Sequence, residues 1–245
     1  SAEQEDGYGL LPGENEEQAK HRRARAKLHD YIDHFEPQTE KDSEKWKVKS
    51  AIGDTRDREN TQGKRQGDAD ISDTPGVTRT RDFERLVENY RDMREKLTQK
   101  EWADTKLFVK DIGRIRYNQY FRPLGFCNLQ TAGRVIFGGV RANIKRYNEG
   151  FRLWFIDKVN DLPVSLYVSA EEMKSYRHQK YLQKILSVAG NAQYFTAYVL
   201  GHLELATPPH SGVVVKIASL NHLVLIPKLK PGQITPDLTV QGPIA

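Results

Sequence analysis

The sequence has little of what builds disulfides, thiolate metal clusters or membrane spans. Cys127 is the only cysteine among 245 residues, which excludes an intramolecular disulfide and a cluster of cysteine ligands. No apolar run approaches the ~18 residues that a membrane-spanning helix needs. The first residues, SAEQEDGYG, lack the apolar centre of a signal peptide. We therefore expect a protein of a reducing compartment, without a transmembrane segment or a cofactor.

Strongly hydrophobic side chains are also scarce at the start of the chain. Residues 1–80 contain twelve of them, too few to offset a backbone-ordering cost of roughly 1–2 kcal/mol per residue. Such a segment is typically disordered unless a partner orders it. We predict that residues 1–103 form an extended N-terminal arm carrying two amphipathic helices.

Positive charge is concentrated in the rest of the chain. Residues 1–80 hold 14 Lys/Arg and 18 Asp/Glu, a net charge of −4, whereas residues 81–245 hold 24 and 15, a net charge of +9. A basic body indicates an acidic partner, and nucleic acid is the usual candidate. The alternative is an ordinary solvated surface of mixed charge.

The first predicted helix covers about residues 16–35. Leu28, Tyr31, Ile32 and Phe35 recur at the spacing of one helical face. The first half of this helix carries a basic cluster that could bind phosphates, although a solvated helix face explains it as well. The cluster consists of Lys20, Arg22, Arg23, Arg25 and Lys27.

The second predicted helix covers residues 82–99 and has the strongest periodicity in the chain. Its apolar face comprises Phe83, Leu86, Val87, Tyr90, Met93 and Leu97. We place the domain boundary at its end, near Trp102.

Eight strands and one helix are predicted after that boundary. Ser169 and Glu172 have the spacing of a capping box, and the helix should run to about Ser187 with Gly190 ending it. Residues 231–245 form a Pro-rich tail that cannot be a central strand. The predicted strands are Lys106–Tyr117, Tyr120–Asn128, Arg134–Tyr147, Phe151–Asp157, Pro163–Ser169, Gln193–Leu205, Val213–Ala218 and His222–Leu229.

The centre of this pattern is a pair of strands within residues 138–157. Phe151, Leu153 and Phe155 alternate as a row that should face the interior. Trp154 and Ile156 make the same strand apolar on its other face, which predicts that the strand lies deep in a sheet or against a neighbour. Two basic residues occupy the polar row of the preceding strand and are candidate assembly contacts. They are Arg141 and Lys145.

These elements predict an all-β fold. Eight short strands with an inserted helix favour an eight-stranded jelly-roll sandwich over residues 104–230. An immunoglobulin-like sandwich is disfavoured because the chain has no Cys…Trp…Cys frame.

Residues with catalytic or ligand-binding potential are few. His202 and Glu204 with His210 or His222 could supply a two-histidine, one-carboxylate iron site, but their close spacing favours an exposed polar row opposite Val199, Leu203 and Leu205. Aromatics near residue 120 interleave with arginines and could stack on bases, although core packing explains them better. That second set is Tyr117, Tyr120 and Phe121 with Arg114, Arg116 and Arg122.

Two stretches resemble the capsid proteins of picornavirus-like viruses. Phe137–Lys145 is similar to a strand of that family in which an aromatic residue is followed by Arg, Gly, a small residue, an aliphatic residue and Arg; Gly138 stands here at the first Arg position. Gly201–Ser211 is similar to a late strand that ends in a Pro-containing turn. The resemblance implies a jelly roll, an arm inside the shell, and release from a polyprotein ahead of a small residue, which the Ser-Ala start would suit.

We therefore expect a non-enzymatic capsid protein that assembles with other capsid chains around an RNA genome. Its location would be the virion, and the host cytoplasm during assembly. The alternative is an RNA-binding scaffold subunit of a large ribonucleoprotein, such as a ribosome-associated protein. A third interpretation is a jelly-roll iron-dependent oxygenase.

Overall fold

The structure is a computed structural model that describes residues 31–37, 79–208 and 211–232. Close contacts divide the chain into two compact units, residues 1–119 and residues 120–245. The predicted boundary near Trp102 thus differs from this division, because the segment that follows Trp102 pairs with strands of the first unit.

The first unit contains a four-stranded sheet with two helices. The sheet has the order β2-β1-β3-β4, in which β1 is parallel to both β2 and β3, and β3 and β4 form an antiparallel hairpin. The elements are β1 (His34–Phe35), β2 (Arg79–Thr80), α1 (Phe83–Lys96), α2 (Gln99–Asp104), β3 (Lys106–Val109) and β4 (Gly113–Arg116).

Helix α1 confirms the second predicted helix. Asp82 is its N-cap, and the Asp82 side chain accepts hydrogen bonds from the backbone amides of Glu84 and Arg85. The predicted apolar face is buried along its whole length, from Phe83 to Leu97. This stripe supplies much of the first unit's core, and the Phe83 ring lies 6.4 Å from that of Phe35.

The first predicted helix is wrong over residues 31–35, and its remainder lies outside the described residues. Phe35 belongs to β1, in register with Thr80 and Val109, and Tyr31 lies at a bend. Tyr31, Ile32 and Phe35 are all buried. Helical spacing was therefore a correct sign of burial but not of conformation. Part of the predicted extended arm instead forms an interior strand of a folded sheet.

The single strand predicted over Lys106–Tyr117 is a hairpin. Asp111 and Gly113 adopt positive φ angles of 69° and 87°, and they reverse the chain between β3 and β4. Tyr117 begins a short helical turn, α3 (Tyr117–Tyr120).

The second unit contains most of the strands. Within its described residues these are β5 (Phe121–Pro123), β6 (Arg134–Arg141), β7 (Lys145–Tyr147), β8 (Gly150–Val159), β9 (Leu162–Val168), β10 (Ala192–Leu205), β11 (Val213–Ile217) and β12 (Leu223–Leu229). Helices α4 (Ala170–Ser175) and α5 (Gln179–Ser187) lie between β9 and β10. Short 3₁₀ turns occupy Leu124–Phe126, Val188–Asn191 and Leu220–His222.

Five of these strands close into a barrel. β6 is antiparallel to β8, and β8 to β9. β9 is parallel to β11, β11 is antiparallel to β10, and β10 returns to pair antiparallel with β6. The closed order β6-β8-β9-β11-β10, with helices in the connection from β9 to β10, matches the five-stranded Greek-key barrel known as the OB-fold.

The unit is largely β, as predicted, but its strand pairing differs from that of a jelly roll. A jelly roll is an antiparallel double sheet, whereas here β9 and β11 run parallel and the sheet closes on itself. The fourteen residues of β10 make this possible. One end of β10 pairs with β12 and β6, and the other end pairs with β11.

The barrel interior is filled by the predicted apolar row. Phe151 and Leu153 have no exposed surface and Phe155 is 3% exposed, which confirms the inward face of β8. Facing strands contribute Ile136, Val140, Val164, Leu166, Val199 and Leu203.

The capping box is confirmed, but the helix it begins is shorter than predicted. Glu172 N donates to Ser169 Oγ at 3.1 Å, and Ser169 N donates to the Glu172 carboxylate at 2.7 Å. The helix ends at Ser175, and α5 begins four residues later. No helix within the described ranges is long and apolar enough to cross a membrane.

Gly201 marks the point on β10 where β11 takes over as partner. A Cβ at this position would lie 2.1 Å from the backbone oxygen of Lys216, closer than any real contact allows. We expect Gly201→Ala to destabilise the protein by about 1–3 kcal/mol, the usual cost of overpacking, as measured by urea unfolding. Gly190→Ala is the matched control, because its Cβ would meet no atom within 4 Å. Equal stability of the two variants would contradict the described pairing of β10 with β11.

Candidate functional site

The outer face of the barrel at β7, β8 and β9 carries aromatic and basic side chains. Because Phe151, Leu153 and Phe155 point inward, Arg152, Trp154 and Ile156 point outward. Ile156 is 51% exposed. Ile156 is therefore not buried within the sheet, as one of the two predicted locations of this face would require.

Strand pairing brings the outward side chains of three strands together. Arg152 lies opposite Lys145 of β7 on one side and opposite Tyr167 of β9 on the other. Tyr147 is two residues from Lys145 and shares its face. Lys145, Tyr147, Arg152, Trp154 and Tyr167 are termed the aromatic–basic patch.

The patch is organised by contacts between its cations and its rings. The Arg152 guanidinium carbon lies 5.3 Å from the ring centre of Tyr167 and 5.8 Å from that of Trp154. The Lys145 Nζ lies 5.4 Å from the ring centre of Tyr147. These are cation–π distances. Tyr147 and Tyr167 meet edge to face, with ring centres 6.0 Å apart.

The rings of the patch remain open to an incoming ligand. Tyr147 is 37% exposed and Tyr167 is 44% exposed. Among the described residues, nothing accepts a hydrogen bond from the buried Nε of Arg152. Ser165, opposite Trp154, is a small residue and is buried, so Trp154 has no bulky neighbour at that position. The patch thus offers exposed π faces beside two fixed cations.

A tight turn holds β7 against β8. Asn148 adopts a positive φ of 53°, and a Cβ on Gly150 would lie 2.6 Å from the Val168 carbonyl oxygen. Only glycine fits at that position without moving the backbone. The Glu149 carboxylate of this turn accepts a hydrogen bond from Gln183 Nε2 at 2.6 Å. It is therefore engaged by α5.

The charge of the second unit suits an anionic ligand. Residues 120–245 hold 14 Lys/Arg and 7 Asp/Glu, a net charge of +7. The patch itself contains two cations and no carboxylate. An arrangement of exposed rings and cations on a curved strand surface can stack on bases and contact phosphates.

Of the predicted site residues, the structure assigns only Lys145 to this patch. Arg141 is exposed at the end of β6, opposite Tyr194. Both residues are outside the core as predicted, but the polar row is interrupted between them, because β6 and β7 are separate strands. The basic cluster of Lys20, Arg22, Arg23, Arg25 and Lys27 lies outside the described residues.

The alternative stacking surface near residue 120 is wrong. Tyr117 and Tyr120 have no exposed surface and Phe121 is 1% exposed, so the core interpretation holds. Burial raises the pKa of Tyr120, since the phenolate would lose its hydration.

The histidine and carboxylate candidates form a surface pair. His202 Nε2 lies 2.8 Å from a Glu204 carboxylate oxygen, and both side chains are half exposed. This matches the predicted polar row, although Leu205, predicted to be buried, is 59% exposed. His222 is buried and His210 lies outside the described residues. Within the described ranges, no three His, Cys, Asp or Glu side chains are grouped as metal ligands would be.

Comparison with known proteins found no matching family model, curated protein or solved structure. We therefore infer function from the chemistry of the site itself.

Sequence reasoning missed Tyr147, Arg152, Trp154 and Tyr167. The available signal was the alternation RLWFI in β8, in which Arg152 and Trp154 share the face opposite the Phe row. Because an unpaired arginine is rarely fully buried, Arg152 indicates that this face is exposed to solvent or to a ligand.

Proposed function

We propose that this protein binds single-stranded nucleic acid through the aromatic–basic patch. The observation that carries the proposal is the set of exposed Tyr147 and Tyr167 rings and the half-buried Trp154 ring around the Arg152 guanidinium on β7, β8 and β9. The second and third strands of an OB-type barrel, together with its loops, form the usual oligonucleotide surface. Here those strands are β8 and β9.

The physical basis of binding would be stacking supported by charge. A base stacked on an aromatic side chain contributes about 1–3 kcal/mol, as judged by alanine substitution, and every base has a π face. Lys145 and Arg152 would contact the phosphates that follow such bases along the strand. A duplex hides its base faces, so the patch favours single strands.

This function corresponds to the RNA-binding scaffold that the sequence offered as an alternative. The capsid interpretation is retained as a second proposal, since two short sequence patterns favour it, but its jelly-roll support is lost. The two proposals differ in assembly. Purified protein mixed with RNA should give discrete soluble complexes on the first proposal and closed particles of uniform size on the second, as seen by sedimentation and electron microscopy.

A pair of charge variants separates ligand binding from surface charge in general. Lys145→Gln should reduce the slope of log K against log salt for single-stranded RNA by about 0.7, the value of one phosphate contact. Arg141→Gln removes the same charge outside the patch and should leave the slope nearly unchanged. Neither change should cost the fold more than ~1 kcal/mol, because both side chains are exposed.

The measurement is fluorescence anisotropy with a labelled oligonucleotide over a series of salt concentrations. Equal slopes for Lys145→Gln and wild type would argue that Lys145 contacts no phosphate. A loss of particle assembly in both variants, with RNA affinity intact, would favour the capsid proposal.

A further inference from the structure

The sheet of the first unit has one buried face and one open face. Phe35, Leu107 and Val109 are buried together with the apolar stripe of α1. The alternate residues of the same strands point the other way. His34, Arg79, Lys106, Phe108, Arg114 and Arg116 are termed the open face.

Strand register aligns four open-face residues in one row across the sheet. His34 of β1 lies opposite Arg79 of β2 and opposite Phe108 of β3. Phe108 in turn lies opposite Arg114 of β4. Lys106 and Arg116 are paired in a second row. An aromatic pair is thus flanked by arginines on both sides, with two further cations beside it.

The two rings of the aromatic pair are stacked on each other. The rings of His34 and Phe108 have centres 4.8 Å apart and an interplanar angle of 28°. Phe108 is 40% exposed, which is unusual for a large apolar side chain in the middle of a strand. A stacked base would cover this exposed ring.

Two described carboxylates close to the open face, Glu36 and Asp33, are engaged by cations or by His34. The Glu36 carboxylate accepts hydrogen bonds from Arg81 Nε at 3.0 Å and from Arg81 Nη2 at 2.8 Å, and it also pairs with Lys110. These two cations hold the pKa of Glu36 below its usual value, chiefly through the Lys110 hydrogen bond. Asp33 lies 3.2 Å from His34 Nδ1. The open face itself contains four Lys or Arg residues and no carboxylate.

We infer that the open face is a second binding surface for single-stranded nucleic acid. Its four cations complement a polyanion, and the exposed Phe108 between arginines selects a polyanion that also presents flat bases. An acidic peptide or an anionic membrane would use the charge but not the ring. The inference rests on residues of the first unit alone and does not depend on the aromatic–basic patch.

The test uses the full chain and a labelled oligouridylate of about twenty nucleotides, longer than the ~4–16 that one OB barrel covers. Three variants are compared in the Tyr147→Ala/Tyr167→Ala background, where the patch contributes little. Phe108→Ala removes the ring, and Arg114→Gln/Arg116→Gln removes two cations. Arg91→Gln/Lys100→Gln removes two exposed cations from α1 and α2 of the same unit and is the matched control.

We expect Phe108→Ala to weaken the remaining affinity at least fivefold. Arg114→Gln/Arg116→Gln should lower the salt slope by about 1.4, the value of two phosphate contacts. The control should leave both quantities nearly unchanged. Unaltered circular dichroism and thermal unfolding would show that the variants fold.

Three outcomes would overturn the inference. The first is residual binding that Phe108→Ala leaves unchanged. The second is an equal loss in the Arg91→Gln/Lys100→Gln control, which would indicate non-specific charge. The third is displacement of the oligonucleotide by anionic phosphatidylserine vesicles with no dependence on Phe108, which would indicate a membrane surface. In the wild-type background, loss with Phe108→Ala but not with Tyr147→Ala/Tyr167→Ala would refute the patch and leave the open face standing.

Discussion

Replacing Tyr147 and Tyr167 together by alanine should weaken binding of a single-stranded oligonucleotide by at least an order of magnitude. Each ring that stacks on a base contributes about 1–3 kcal/mol, which corresponds to about 5- to 150-fold in affinity. The two rings are 37% and 44% exposed, so their removal leaves no large cavity in the barrel. The loss would be measured by fluorescence anisotropy at one fixed salt concentration.

Two controls separate stacking from damage to the fold. Tyr147→Phe/Tyr167→Phe keeps both rings and should retain most of the affinity. Phe126→Ala removes a ring that is 76% exposed on the 3₁₀ turn of the second unit, outside the patch, and should also bind normally. Unchanged affinity in the double alanine variant, with its unfolding curve intact, would refute the proposed site.

The second large effect concerns stability. Phe155→Ala should destabilise the second unit by ~3–5 kcal/mol, since it removes a ring from the barrel core and leaves a cavity. Phe155 is 3% exposed. Its ring packs against β6, where a Cβ added to Gly138 would lie 3.5 Å from Phe155 Cδ1. That is a large part of the ~5–15 kcal/mol stability of a typical domain.

Ile156→Ala is the matched comparison for that experiment. Ile156 is the next residue on the same strand but is 51% exposed, so its truncation should change stability far less. Urea unfolding followed by tryptophan fluorescence measures both variants. A larger loss for Ile156→Ala than for Phe155→Ala would mean that β8 has its inner and outer faces reversed, and with them the location of the patch.

Local features could be predicted from the sequence because each depends on neighbouring residues. The stripe from Phe83 to Leu97 predicted α1, and Ser169 with Glu172 predicted the start of α4. The row of Phe151, Leu153 and Phe155 predicted the inward face of β8. In each case the spacing of side chains determines a single local conformation.

Strand order could not be predicted in the same way. The barrel closes through the parallel pairing of Val213–Val215 with Val164–Leu166, and periodicity within one strand contains no information about which distant strand it joins. An eight-strand count therefore fitted a jelly roll as readily as it fitted this barrel. Similarly, Tyr31, Ile32 and Phe35 had helical spacing but are buried by a bend and a strand.

The site was hidden for a related reason. Trp154 and Ile156 are apolar, and apolarity alone does not distinguish a buried face from an exposed binding face. The distinction comes from Arg152, whose neighbours Lys145 and Tyr167 are identified only by the register of β8 with β7 and β9. The spacing of these three residues in the sequence does not indicate that they lie next to one another.

The binding of single-stranded nucleic acid at the aromatic–basic patch can be tested by ultraviolet crosslinking of the full chain to a single-stranded oligouridylate. The crosslinked peptides are then identified by mass spectrometry. If the aromatic–basic patch binds single strands, crosslinks should form within the peptides that contain Tyr147, Trp154 and Tyr167. An unlabelled single strand added as competitor should abolish these crosslinks, whereas a duplex should not. Crosslinks confined to other parts of the second unit, or none within residues 145–167, would contradict binding at the patch.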